Sequence, residues 1–572
     1  MKLKCYIKAG VVAMAASTIG MSCTDTWDDH YSVNGTVPGA TLWENMRLDE
    51  SIHPFVRVLD SCGYKDMLNG TQTFTVWAPK ITDEEAQRWI DTYKSEKSQG
   101  VKDDYNTTLN QFVRNHLAIY NHQVSSETDT IVEMMNGKRM SLTAGSVGGA
   151  LRDGESVPSS NGVLYKLEGE VPFTPNIWER IRMRCDASDD GMDSVANFFL
   201  SWNRTELDEK ASVPGPVVDG KTVYLDSVMY DYNSFFDMYG SIDSEDSSYW
   251  FVAPTNKVWR EKVEEYRKYF EYHSELKEDG DSLQDMYSKR MVLHASFFNM
   301  NENVKDGVYG DPADSLCSTS YTTHMLGYSK FDRPFGAGGL LEGLTPEECS
   351  NGRLYVAKDW RVPPTITSLM RKIEVEAEYS NNYTTRRLTD PEETDENKLP
   401  DPMQVSSVKA VSDSFKVSSD GYLLVRDPRT GRSRQPEISF KIPYTLSNCP
   451  YDIKVVFATP LAGNPQDSAN AALKRQITAK IRYYGSRTGE MIKGTNAITL
   501  SENLDVDATK MDTVTVAEGV KFPVCNFAEQ DSRVLLTIQS IRGRSAPDGY
   551  SQDLLIDCVI FEPRPEGGND EN

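Results

Sequence analysis

The chain has 572 residues, and its 85 Asp and Glu residues outnumber its 61 Lys and Arg residues, which gives a formal net charge of −24 at pH 7. At roughly 100–200 residues per domain, this length predicts several folding units. The acidic balance excludes binding to nucleic acid through its phosphates, so no nucleic-acid partner is expected. A hydrophobic content of 39% is enough for several cores but not for a polytopic membrane protein.

The N-terminus has the plan of a secretory signal peptide. Basic residues precede an apolar run at 9–20 that is too short to span a bilayer, and the small residue Ser22 stands directly before Cys23. This ending is similar to the lipobox of bacterial lipoproteins, in which the cysteine receives a lipid and becomes the mature N-terminus. We therefore expect a signal peptide at 1–22 and lipidation of Cys23. An ordinary signal peptide with a chance cysteine is the alternative.

The residues that follow predict a location. Residues 23–40 form an acidic tether that resembles the segment by which some Gram-negative lipoproteins reach the outer face of the outer membrane. The resemblance implies a lipid-anchored protein of the outer membrane that faces the cell exterior. Because the chain is acidic, lipid and not charge would hold it there.

Two landmarks occur twice along the chain in the same order. A β-rich run that ends in Ala-Pro lies at 74–79 and again at 249–254, and an Asn-Gly pair followed by apolar residues lies at 161–162 and again at 351–352. The Asn-Gly pair is typical of a tight turn with positive φ. Capping boxes that begin at Thr41 and Thr82, and a Thr cap at Thr174, add predicted helices. Recurrence of this kind predicts a duplicated domain.

These landmarks resemble the signatures of fasciclin domains. Phe251–Asn256 is similar to the first signature, an aromatic-Val-x-Ala-Pro-Thr-Asn turn, and Asn115-His116 is similar to the Asn-His of the second. The resemblance implies two wedges of β-strands flanked by helices, at 41–182 and 190–372. The family occurs on secreted or anchored proteins that bind partners or glycans, and membership does not imply catalysis.

The second copy departs from the family pattern. His294 stands where the second signature is expected but lacks the preceding Asn, and the tract at 202–227 is not required by the family. A histidine inside an apolar helix, such as His116 or His294, more often satisfies a backbone partner than it binds a ligand.

The last third predicts a different fold. Residues 373–403 contain a strand and an acidic linker or loop. In 404–565, apolar residues alternate with polar ones over several short runs, which predicts an antiparallel, jelly-roll-like β-sandwich. Its end, at 555–563, looks like the closing strand of jelly-roll carbohydrate-binding modules. A disordered tail is expected at 566–572. The fold class is therefore multidomain α+β.

No catalytic or metal-binding constellation is apparent, and no cofactor is predicted. H-E-x-x-H and G-x-S-x-G motifs are absent, and the acidic run at 186–191 lacks the Glu that would complete a calcium loop, so it is interpreted as a solvated turn. Aromatic rings stack on sugars, which makes Tyr422, Tyr484 and Tyr550 candidate ligand-binding residues. Core packing explains a strand tyrosine about as well.

The cysteines predict no disulfide framework. Nine are present, and seven remain after Cys5 in the signal peptide and Cys23 at the lipid are set aside. Buried free thiols are expected, with one bridge, Cys317–Cys349 or Cys525–Cys558, left as an alternative.

The leading hypothesis is a non-enzymatic surface lipoprotein that captures or docks a glycan or peptide ligand. The resemblance suggests an accessory subunit of a TonB-dependent, starch-utilisation-type importer, whose barrel and lid lipoprotein would be its partners. One alternative is an adhesin that binds host matrix or neighbouring cells through the fasciclin pair. A glycoside hydrolase with an unrecognised site is another.

Overall fold

The computed structural model describes residues 39–218, 221–275, 280–301, 314–319, 328–362, 370–385, 403–427, 435–492, 497–527, 534–541 and 547–564. The predicted signal peptide, Cys23, most of the tether, the acidic part of the linker and the C-terminal tail lie outside these ranges. Among the helices that the ranges contain, none combines the length and the hydropathy of a membrane span. The chain divides into two compact units, which meet in sequence between Thr174 and Pro175.

The first unit packs helices against a four-stranded sheet. Its strands run in the order β2-β1-β8-β7, with β1 and β8 parallel, and a second sheet has the order β3-β4-β5-β6. The elements are α1 (Leu42–Leu48), α2 (His53–Ser61), α3 (Lys65–Leu68), β1 (Phe74–Pro79), α4 (Asp83–Ser98), β2 (Leu117–Ile119), β3 (Asp129–Glu133), β4 (Arg139–Thr143), β5 (Ser146–Val147), β6 (Ala150–Leu151), β7 (Val157–Ser159) and β8 (Gly162–Leu167).

Local sequence explains where these helices begin. Thr41 and Thr82 each cap the backbone of the Glu three residues on, and each Glu carboxylate accepts from the Thr backbone, so both predicted capping boxes are confirmed. The sequence also predicts a helix around 112–117, and the structure has a helical segment that begins earlier and is not a regular α-helix. It consists of a π-helical turn at Thr108–Val113 and a 3₁₀ turn at Arg114–His116, and it ends there because the backbone of Leu117 pairs with Val76 in the sheet.

The second unit begins with a repeat of this architecture. Its central sheet has the order β14-β13-β18-β17, again with the two inner strands parallel. The elements are α5 (Ile177–Met183), α6 (Asp193–Leu200), β9 (Asn203–Leu207), β10 (Val213–Val218), β11 (Lys221–Asp226), β12 (Met229–Asn233), α7 (Ser234–Tyr239), β13 (Tyr249–Pro254), α8 (Asn256–Arg267), α9 (Gly280–Leu293), β14 (Phe297–Asn299), β15 (Ser315–Cys317), β16 (Lys330–Asp332), β17 (Glu347–Cys349) and β18 (Gly352–Ala357).

The start of this repeat corrects one prediction. The cap of α5 is Asn176 and not Thr174, since the Asn176 side chain accepts from the backbone of Glu179 and the Glu179 carboxylate accepts from the Asn176 backbone. The backbone N–H of Ile177 donates to Asn351, which ties α5 to the second repeat. The predicted domain limits at 182 and 190 stay predictions. The sequence at 364–368 also predicts a Thr cap before a short helix at the end of the second repeat, and this segment lies outside the described residues.

A two-sheet antiparallel sandwich completes the second unit, so the predicted fold class, two fasciclin-like repeats followed by a sandwich, is confirmed. The first sheet has the order β21-β22-β29-β24-β27, with β19 also on β29, and the second has the order β20-β23-β28-β25-β26. The elements are β19 (Ile373–Glu376), β20 (Tyr383–Thr384), β21 (Gln404–Lys409), β22 (Gly421–Arg426), β23 (Glu437–Lys441), β24 (Pro450–Phe457), α10 (Pro460–Gly463), α11 (Ser468–Ala471), β25 (Arg475–Arg482), β26 (Ile498–Val506), β27 (Asp512–Lys521), β28 (Leu535–Ser540) and β29 (Leu554–Pro563).

The second repeat and the sandwich share one hydrophobic core. The segment after α8 is bonded to sandwich loops: the Tyr272 hydroxyl donates to the carbonyl of Phe527 at 2.6 Å, and the Cys525 N–H donates to the carbonyl of Glu271 at 2.7 Å. The ring of Phe527 also lies 5.2 Å from that of Phe270, edge to face. These contacts bury apolar surface between the two parts, which is expected to couple their folding.

All seven cysteines in the described part of the chain are free thiols, and five of them are buried. The alternative bridges Cys317–Cys349 and Cys525–Cys558 are not formed. Burial raises the pKa of the Cys525 thiol to about 12, so this group stays protonated and unreactive near neutral pH.

Candidate functional site

The three tyrosines expected to bind ligand have different surroundings. Tyr422 is only 4% exposed and packs in a small apolar cluster with Ala458, Ala462 and Leu555, so its ring is not accessible for stacking. Tyr484 is half-buried, and its ring lies 3.8 Å from that of His273 in the second repeat. Its hydroxyl donates to the Glu275 carboxylate at 3.1 Å, so Tyr484 joins the sandwich to the second repeat.

Tyr550 lies in the loop before β29. It is half-buried, and its backbone forms an isolated parallel bridge with Lys474. None of these contacts joins two of the three tyrosines.

His116 has the structural role expected of it. It is fully buried, its Nδ1 lies 2.7 Å from the carbonyl of Phe112, and its Nε2 accepts from the Val171 N–H at 2.9 Å. Because Nε2 accepts, Nδ1 carries the proton and the imidazole is neutral. Burial lowers the pKa of His116 from 6.5 to about 4.

The acidic run at 186–191 is a turn held by Asn256. The Asn256 amide donates to the carbonyls of Asp186 and Ser188 at 2.9 and 2.8 Å, and the amide oxygen accepts from the Ser194 N–H at 3.0 Å. Asn256, the last residue of the Ala-Pro-Thr-Asn signature, thus anchors the loop before α6. Within the described ranges, no group of three or more His, Cys, Asp or Glu side chains could hold a metal ion.

Two neighbouring carboxylates, Asp557 and Glu376, lie on the first sheet of the sandwich. The Asp557 carboxylate accepts from the Ser418 N–H at 3.1 Å, and the Ser418 hydroxyl donates to Glu376 at 2.6 Å. Burial raises the pKa of both carboxyl groups. Ser418 donates a hydrogen bond to each carboxylate. The pair therefore holds the loop before β22 in place and is not interpreted as a binding site.

The sandwich carries a polar surface that sequence reasoning missed. Paired residues in an antiparallel sheet share a face, and the register of the second sheet aligns Thr384 with Ser439, Ser439 with Thr537, and Thr537 with Lys480. The next row aligns Glu437 with Gln539, and Gln539 with Thr478. We call this surface the polar face; its residues are Thr384, Glu437, Ser439, Thr478, Lys480, Arg482, Thr537 and Gln539.

Burial distinguishes the polar face from ordinary strand surface. The alternate residues of the same strands, such as Ile438 and Ile538, point into the core, so the polar face points away from it. Even so, Ser439 is 1% exposed, Thr537 is 0% exposed and Glu437 is 5% exposed. These three side chains are therefore covered by neighbouring groups and form the buried part of the polar face.

The accessible part of the polar face runs along β25, where Thr478, Lys480 and Arg482 are half-buried. In the buried part, the Ser439 and Thr537 hydroxyls lie 2.7 Å apart, and the Gln539 amide donates to the Glu437 carboxylate. The hydroxyl and cationic groups along β25 are therefore the ones that a polar ligand can reach.

The sequence contains a signal for this face. Ser439 and Lys441 alternate with Ile438 and Phe440, and this alternation predicts the strand and its outward positions. It does not tell which outward positions are buried, because that depends on what packs over them.

No protein-family model matches the sequence, and no curated protein matches it. Among solved structures, the chain is similar to carbohydrate-binding and catalytic modules of an endo-1,4-β-D-xylanase from Clostridium thermocellum complexed with xylohexaose, at 13% identity and a TM-score of 0.20 over 35% of this chain. The chain spans only 30% of that protein. It is also similar to a fasciclin domain pair from the insect cell adhesion molecule fasciclin I, at 12% identity and a TM-score of 0.18 over 55% of this chain and 98% of that one.

A xylan-binding domain of carbohydrate-binding module family 22 is similar at 12% identity and a TM-score of 0.17, over 28% of this chain and 83% of that domain. Scores of this size describe distant similarity in fold and show no family.

Proposed function

We propose that the protein captures a polyhydroxylated ligand, a glycan, on the polar face of the sandwich and does not transform it. The observation that carries the proposal is the row of half-buried polar side chains Thr478, Lys480 and Arg482 along β25, on the outward side of the sheet. Polar groups that become buried in a complex must be hydrogen-bonded, and a sugar with several hydroxyls can donate to and accept from such groups.

The arrangement of carboxylates favours binding over hydrolysis. Glu437 is the carboxylate of the polar face, and Asp505 lies on β26, opposite Gln476 of β25. The strands β23 and β26 are three strand spacings apart, roughly 14 Å at about 4.8 Å per spacing. Glycosidases place their two carboxyl groups about 5–9.5 Å apart, so this pair is too widely separated for that chemistry.

The predicted lipid at Cys23 would place this binding site at the outer membrane, and the acidic tether would carry it to the cell exterior. We propose that the protein acts there as an accessory subunit of a nutrient importer. The support is the sequence resemblance alone, and co-purification from native outer membranes tests it: a stoichiometric importer barrel is expected, and its absence would favour an adhesin.

The test of glycan capture is a glycan array probed with the full chain, followed by calorimetric titration of the best ligand against a matched pair of variants. Lys480→Ala changes the polar face, whereas Lys454→Ala removes the same side chain from β24 in the other sheet, where it pairs with Glu562. Lys480→Ala is expected to weaken binding about tenfold, as the loss of one charged hydrogen bond implies, and Lys454→Ala to leave it unchanged.

Equal affinity of Lys480→Ala and wild type would show that the ligand binds elsewhere. Release of reducing sugar from the bound glycan, abolished by Glu437→Gln, would overturn the non-enzymatic part of the proposal.

A further inference from the structure

The tract at 202–227, which the fasciclin pattern does not require, belongs to a β-ribbon. We call residues 203–218 and 221–233 the ribbon: β9 pairs with β12, and β10 pairs with β11. The ribbon lies between α6 and α7, whereas in the first repeat α2 and α3 are separated by only a short turn. It is therefore an addition to the second repeat.

The ribbon exposes an unusual amount of apolar surface. Seven of the twenty large apolar side chains that are exposed in the described chain belong to it. Leu225 is 74% exposed and Val217 is 68% exposed; the others are Val213, Val223, Val228, Met229 and Tyr230. Scattered apolar residues need no explanation, but a concentration in one added element is typical of a binding surface.

The two long edges of the β10–β11 hairpin differ. In the described part of the chain these strands form a sheet of two, so each has one edge that no strand covers. Pro214 and Pro216 leave β10 without two amide donors, and its register shifts around them. Prolines block strand addition at an edge because they offer no N–H.

The edge of β11 contains no proline, and its one irregularity is an extra residue in the pairing between Tyr224 and Asp226. A Cβ at Gly215 of β10 would lie 2.7 Å from the Val223 carbonyl oxygen, so that carbonyl points toward β10. Because backbone groups alternate along a strand, the N–H and C=O of Thr222 and Tyr224 point to the open edge. The edge thus offers two sets of donors and acceptors beside the exposed side chains of Val223 and Leu225.

The charge of the ribbon indicates the kind of partner. Among the side chains that the structure describes there, five are acidic and two are basic: Glu206, Asp208, Glu209, Asp226 and Asp231 against Arg204 and Lys210. A second copy of this chain, with its formal charge of −24, would be repelled. A cationic partner would be attracted.

We propose that the open edge of β11 binds an extended segment of a partner protein as an added strand, and that this segment has apolar residues at alternate positions and a net positive charge. Main-chain hydrogen bonds to Thr222 and Tyr224 supply affinity, and contacts with Val223 and Leu225 supply selectivity.

The test uses the full chain and a short capped peptide in which valine alternates with lysine, with fluorescence anisotropy as the readout. Tyr224→Pro removes the outward N–H at the centre of the edge, and Tyr224→Ala keeps it while removing the same side chain. Tyr224→Pro is expected to weaken binding about tenfold or more, Leu225→Ser to weaken it measurably, and Tyr224→Ala to change it little. A counterpart peptide with glutamate in place of lysine is expected not to bind.

Several results would overturn the proposal: no binding of the lysine peptide to the wild-type chain, equal affinity for both peptides, or the same loss in Tyr224→Ala and Tyr224→Pro. Sedimentation of the wild-type chain as a dimer that Tyr224→Pro dissociates would assign the edge to a second copy instead. Unchanged unfolding of the variants, followed by circular dichroism, separates loss of binding from loss of fold.

Discussion

Asn161, the first residue of the repeated Asn-Gly pair, is buried, and its side chain links three segments of the first unit by hydrogen bonds. Its amide donates to the carbonyls of Leu68 and Gly70 at 2.9 and 2.8 Å, and its oxygen accepts from the N–H of Leu42 at 2.8 Å. It therefore ties the start of α1 and the end of α3 to the hairpin before β8. Asn351 makes the equivalent bonds in the second repeat, to Ile242, Ser244 and Ile177.

Asn161→Ala is expected to destabilise the first unit by about 3 kcal/mol, at roughly 1 kcal/mol for each of the buried hydrogen bonds that it loses. Chemical denaturation measures the change. The matched variant Asn351→Ala should affect only the transition of the second unit. A loss below about 0.5 kcal/mol for Asn161→Ala would mean that water or a neighbouring group replaces these bonds.

His116 makes the stability of the first unit depend on pH. Its folded pKa of about 4 lies below the 6.5 of an unperturbed histidine, so between these values only the unfolded chain binds the proton. Stability is therefore full above pH 6.5 and falls as the pH decreases. Between pH 6.5 and pH 5 the loss should be roughly 1.5 kcal/mol.

Denaturation of the first unit over this pH range checks the expectation, with His116→Gln as the control because glutamine donates and accepts without titrating. The variant should lose most of the pH dependence. An equal slope in both proteins would assign the effect to other groups.

At the scale of elements, the parallel strands at the centre of each repeat need glycine at one position. Gly162 has φ of 142°, and a Cβ there would lie 1.8 Å from the carbonyl oxygen of Phe74 in β1. Gly352 has φ of 139° and the same conflict with Tyr249 in β13. The glycine of the Asn-Gly pair is thus required by close approach of two strands, whereas the sequence predicted only a tight turn.

Gly162→Ala is expected to destabilise the first unit by more than about 3 kcal/mol, because either the strand must move or the backbone must adopt a strained conformation. Gly169→Ala is the control, since a Cβ there meets nothing within 4 Å. Thermal unfolding compares the two. Similar midpoints for both variants would contradict the tight pairing of β1 with β8.

The elements also show what sequence alone can and cannot predict. Capping boxes and strand alternation are local patterns, and they located α1, α4 and the main sandwich strands. The ribbon was not foreseen as an element, because its tract was recognised only as a departure from the family. Tyr422 was taken for a candidate ligand contact, but its burial beside Ala462 depends on residues distant in sequence. The polar face was missed for the same reason.

At the scale of the whole molecule, the shared core predicts how the chain unfolds. The second repeat and the sandwich belong to one compact unit, and the first repeat forms the other. Scanning calorimetry should therefore show two transitions and not three. Asn161→Ala is expected to shift the transition of the first unit alone. A separate third transition for the sandwich would show that the contacts around Tyr272 do not couple it to the second repeat.

The central claim is glycan capture on the polar face, and hydrogen exchange of the full chain with and without a bound glycan tests it most directly. The account predicts slower exchange on glycan binding in β23, β25 and β28, with the first repeat unchanged. Protection confined to the first repeat or to the other sheet of the sandwich, or a chain that binds no glycan at all, would contradict it.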